Sequence, residues 1–127
     1  MDPYASIPTA LRAATEALGE SLSRTEPIDA LHRAQARLDT DESAKAILDR
    51  VAEAEDNLRR RQAEGTMTKA DIDRVRNAQR EASSDPSITG FGAAHQAVVA
   101  YLPEVNGMIS ELLGWDFAAM AAAPTSC

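Results

Sequence analysis

The chain has 127 residues, 44% of them apolar and 26% charged, with a formal net charge of −7. That size suits one domain, that balance is globular rather than disordered, and that charge argues against general affinity for nucleic acid or anionic lipid. Aromatic residues make up only 4%, and alanine supplies much of the apolar count, so the core is expected to be thin and the backbone helical. The single cysteine, Cys127, excludes an internal disulfide and a self-contained cysteine zinc site, and it fits a reducing cytoplasm. The opening "MDPYASIPTALRAA" has no basic region followed by an apolar run, so no secretory signal is expected.

The first helix is predicted from about Ile7 to Leu22. Ile7, Leu11, Ala14, Leu18 and Leu22 recur at spacings of three and four and give one apolar face. Ser6 is its expected cap, with Pro8 in the first turn. A second helix starts after Thr25, with Pro27 in its first turn and Ile28, Leu31 and Leu38 on a shared face. The segment "DTDES" interrupts it. If Asp39 caps the third helix, Glu42 falls at the third helical position and reaches back as in a capping box. That helix is expected from about Asp41 to Glu64, with Ala44, Ile47, Leu48, Val51 and Leu58 as its stripe and Gly65 as its stop. Thr68 caps a fourth helix with the sparse apolar positions Ile72, Val75, Ala78 and Ala82, and "SSDPS" ends it.

Asp85 followed by Pro86 announces the last helix. Ile88, Phe91, His95, Val98, Leu102, Val105, Ile109 and Leu112 form an unbroken seam of threes and fours. Pro103 lies inside it and is expected to kink the helix, because it cannot donate to the Val99 carbonyl. Gly90 and Gly92 point to close approach of another helix or to a late start of regular helix. No segment alternates with period two, so no sheet is predicted. The expected fold is all-α, an antiparallel bundle of about five helices with a long kinked C-terminal helix, in one domain over 1–127.

Catalytic and metal-binding patterns are sparse. His32 and His95 are the only histidines, which leaves no paired-histidine metal motif. The place of His95 on the seam favours a packed or hydrogen-bonded imidazole over a functional one. "GFG" at 90–92 lacks the third glycine and the preceding strand of a dinucleotide loop. No GxSxG is present. The carboxylates read as helix surface, with Glu55–Arg59 and Asp56–Arg60 four apart. No enzyme is expected from these residues.

Two regions stand out as contact surfaces. Residues 59–80 hold Arg59, Arg60, Arg61, Lys69, Arg74, Arg76 and Arg80 against three acids, a local net of +4 that leaves −11 on the remainder. This basic hairpin reads either as solvated surface or as a docking patch for an acidic partner or an RNA backbone; it carries no aromatic for base stacking. The terminal stretch "EVNGMISELLGWDFAAM" is too short and too interrupted by acids to span a bilayer. It continues the seam of a helix that is apolar on more than one side, and such a helix wants more than one neighbour. Leu102, Val105, Ile109, Leu112, Trp115 and Phe117 are therefore the expected surface of self-association, as a dimer.

Three segments resemble the YlbF/YmcA family of small bacterial helical regulators: "QAEGTMTKADI" (62–72), "DPSITGFGAAHQAV" (85–98) and "VNGMISELLGWDF" (105–117). The resemblance covers nearly the whole chain and implies an all-α fold of long antiparallel helices that self-associates, in a non-enzymatic role. It further implies membership of a multi-protein complex that supports RNase Y-type mRNA processing, and through it competence, sporulation and biofilm formation. That complex is associated with iron–sulfur clusters. Cys127 alone does not match a multi-cysteine pattern, so no cofactor is expected; the alternative is a cluster shared with partner subunits, to which Cys127 would contribute one ligand.

Overall fold

The computed structural model describes residues 1–122, which form six helices and no strand. They are α1 (Thr9–Ser23), α2 (Glu26–Thr40), α3 (Glu42–Glu64), α4 (Lys69–Ser83), α5 (Pro86–Leu113) and α6 (Phe117–Ala121). The all-α class is as expected, with the short α6 added after Gly114.

Local chemistry accounts for most of the boundaries. Thr68 and Asp71 form a reciprocal capping box at the start of α4. Asp85 caps α5 by accepting from the Ile88 N–H, with Pro86 at the first helical position. Gly65 ends α3 in the left-handed region at φ 73°, which only glycine adopts at little cost. Two caps differ from expectation. Asp41, not Asp39, caps α3 through the Ala44 N–H, because the break from α2 falls at Asp41 and leaves Asp39 inside α2. α1 begins after Pro8 with no side-chain cap, so Ser6 has no such role. Thr25 does precede α2, but its hydroxyl donates back to the Leu22 carbonyl.

Helices α3 and α4 form one antiparallel hairpin. Arg50 donates to Glu81 (2.6 Å), Gln79 to Glu55 (3.2 Å) and Asn57 to Asp71 (3.2 Å), a register that runs oppositely along the two helices. Helices α2 and α5 form a second, with the end of α2 beside the start of α5 and Ala30, Ala34, Ala93 and Ala94 lining one groove between them. The two hairpins touch mainly where α2 runs into α3 and α4 into α5. There the buried Ser87 donates to Asp41 at 2.6 Å, joining the two hairpins across 46 residues of sequence. The arrangement is thus two hairpins joined end to end, not one closed bundle.

The core is correspondingly thin. Its buried apolar residues are Leu38, Ala44, Ile47, Ala54, Ala78 and Val98. Leu38 and Val98 come from the α2–α5 pair, the rest from the α3–α4 pair. α1 buries no residue, nor does α6. α5 continues through Pro103, whose missing N–H does not end the helix. Both Gly90 and Gly92 lie inside it, and a Cβ added at either meets nothing within 4 Å. Neither close helix approach within the chain nor a late start of the helix explains them.

Candidate functional site

The distal half of α5, beyond Val98, exposes Val99, Leu102, Met108, Leu112 and Leu113, more large apolar side chains than any other helix. At about 100° per residue, the face of α5 turned toward α2 runs through Ser87, Ala94, Val98 and Tyr101. It continues through Val105, Met108, Ile109 and Leu112. α2 begins only at Glu26, which counting back along the antiparallel pair sets level with about residues 98–102 of α5, so it covers the first part and leaves the second largely uncovered. Leu102 is 43% exposed, Met108 69% and Leu112 87%; Val105 and Ile109 are half-buried. The expected contact residues Leu102, Val105, Ile109, Leu112, Trp115 and Phe117 do lie together at this end. The seam that named them is rotated from the packed face, however, and this rotation leaves His95 exposed beside Phe91, ring centroids 6.3 Å apart, rather than packed.

A polar clamp fixes the aromatic tail. The Asn106 carbonyl oxygen accepts from the Ala118 N–H (2.9 Å), and Ser110 Oγ accepts from the Phe117 N–H (3.0 Å). Asp116 caps α6 through the Ala119 N–H (3.1 Å) and accepts from Asn106 Nδ2 (3.3 Å). The Ala119 N–H and the Asn106 amide hold the Asp116 carboxyl below its ordinary range. Trp115 and Phe117 are thereby held side by side, 6.3 Å between centroids, yet each stays more than two-fifths exposed. Sequence reasoning missed this clamp. Its one legible signal was Gly114 followed by Asp116, a stop and then a cap.

A second uncovered apolar surface belongs to α1. Leu11 and Leu18 are 55% and 42% exposed, and they share a face with Ile7, Ala14 and Leu22. α1 makes only slight contact with α2.

The basic residues of 59–80 surround the tip of the α3–α4 hairpin. Lys69, Arg76 and Arg80 lie along the back of α4, Arg74 on the groove flank with Arg50 and Glu53, and Arg59 and Arg60 on different sides of α3. All are exposed except Arg61, whose Nε lies 3.7 Å from the buried Asp71. Arg59 pairs with Asp56 and Arg60 donates to Asn57, so neither of the expected i,i+4 pairs forms. Folding also brings Glu53 and Glu55 alongside α4, and the hairpin from 50 to 81 holds eight bases against seven acids. Asp71 is held below the ordinary carboxylate range chiefly by the Thr68 N–H, with the Thr68 hydroxyl and Arg61 adding to it and burial opposing.

Among the described residues no three His, Cys, Asp or Glu side chains are grouped to hold a metal ion, and no helix is long and apolar enough to cross a membrane. Cys127 lies outside the described residues.

Paired helical hairpins, with uncovered apolar side chains on α1 and the distal α5, define a small all-helical protein. The family model described as control of competence regulator ComK, YlbF/YmcA, matches residues 11–113, and the chain belongs to that family. Comparison with curated proteins and with solved structures finds no match.

Proposed function

We propose that this chain is a non-enzymatic regulatory subunit of the cytoplasm that self-associates, as a dimer, through its distal α5 and so takes part in a complex supporting mRNA processing and developmental control. Surface area carries the self-association. The chain exposes 9502 Å², whereas a compact monomer of 13.6 kDa exposes about 6,600 Å². The excess of roughly 2,900 Å² exceeds what a standard protein interface buries in total. Membership of a competence-control family supports the regulatory part.

Light scattering across a dilution series tests this reading. The wild type is expected at twice the chain mass, and Ile109→Asp at the monomer mass, because it sets an unpaired carboxylate in the apolar strip. A compact wild-type monomer at micromolar concentration would refute it. A second reading, direct RNA contact by the hairpin tip, draws support from Arg60, Lys69, Arg74, Arg76 and Arg80. None of these has a carboxylate within 4 Å among the described residues. The interleaved acids weaken it, and a salt-dependent RNA shift assay separates the two.

A further inference from the structure

α1 is an amphipathic helix without a floor. Ile7, Leu11, Ala14, Leu18 and Leu22 make one continuous stripe, yet the helix buries no residue. Fifteen residues are marginal for an isolated helix in water, which needs packing of its apolar face to persist. The distal α5 is the converse, a floor without a cover. Its α2-facing strip runs on through Val105, Ile109 and Leu112 for about three to four turns past the start of α2. The two lengths match: α1 has 15 residues, and α5 from Ala100 to Leu113 has 14. Had the α2 line continued straight into α1, α1 would lie along this strip. The chain instead breaks at Arg24 and Thr25, where the Thr25 hydroxyl ties back to Leu22, and α1 leaves the strip open.

From this we propose that α1 is an exchanged arm: in the assembled protein, α1 of each chain lies on the distal α5 strip of a second copy, and the exchange is reciprocal about a two-fold axis. The proposal rests on the self-association argued above and specifies its geometry. One operation covers both orphan surfaces twice over, as a closed isologous contact requires. The area is sufficient, since the excess of roughly 2,900 Å² per chain over a compact monomer exceeds what a standard interface buries in total.

Mixed single-cysteine chains test it, all in a Cys127→Ser background. One chain carries Leu18→Cys and a size tag; the other carries Ile109→Cys, or in a second pairing Leu102→Cys. After mixing, exchange of subunits and treatment with a short bismaleimide, a tagged–untagged cross-linked pair is expected from at least one pairing. Leu11→Asp combined with Leu18→Asp should shift the wild-type mass to monomer while circular dichroism retains the α2–α5 helices. A cross-link formed only within a chain carrying both cysteines would overturn the proposal, since α1 would then fold back on its own α5. A dimer by light scattering with no α1–α5 cross-link would also overturn it, yet leave self-association standing. A monomer by light scattering would remove both.

Discussion

Arg61 shows how one side chain in a basic run takes on a structural part. Arg59, Arg60 and Arg61 are adjacent in sequence, yet only Arg61 reaches the buried Asp71. Arg61→Glu would set a second carboxylate against that group, and a clear drop in melting temperature is expected. Arg59→Glu and Arg60→Glu, on exposed positions, should stay within about 0.5 kcal/mol of wild type in denaturant titration. The same Asp71 gives a pH dependence with a definite sign. Its carboxyl is held below the ordinary value in the folded chain, so the stability it lends is present above its unfolded value, near 3.9. That stability is lost as pH falls through the lower folded value. Asp41, lowered chiefly by the Ser87 hydroxyl, and Asp2, lowered chiefly by the Tyr4 N–H, act in the same direction. Melting temperature should therefore fall steeply below about pH 4 in the wild type, and less steeply in Asp71→Asn.

Two glycines have opposite meanings at the scale of the helix. Gly65 terminates α3 with φ 73°, where a side chain is strained, so Gly65→Ala is expected to cost about 1–2 kcal/mol. Gly92 sits exposed inside α5 with open space where its Cβ would be, so Gly92→Ala should stabilise by about 0.5–1 kcal/mol through helix propensity alone. Chemical denaturation of the two variants checks both signs. The capping box is a further element-scale case. Thr68→Ala removes the acceptor for the Asp71 N–H and should cost about 1 kcal/mol.

Across the whole molecule, the six buried apolar residues include three alanines. A leucine-sized side chain contributes about 1.5–3 kcal/mol when buried and alanine far less, so the isolated chain has little core from which to draw stability. Stability gained by association depends on protein concentration. The melting temperature is therefore expected to rise over a hundredfold increase in wild-type concentration and to stay flat in Ile109→Asp. A flat wild-type profile would mean that the two hairpins hold by themselves.

Sequence alone determined the helical class, the Gly65 stop, the Thr68 and Asp85 caps, and the apolar character of the chain's last quarter. Each of these follows from interactions within a few residues of one another, where spacing and side-chain chemistry suffice. Tertiary structure decided the rest. Whether α1 packs or stands free depends on where α2 starts relative to α5, which no local pattern contains. The exposure of His95 depends on which of the overlapping apolar rows of α5 meets α2, a choice that a spacing of threes and fours does not make. The dilution of the basic hairpin by Glu53 and Glu55 appears only when α3 and α4 lie side by side, because charges one hairpin apart in sequence become neighbours in space.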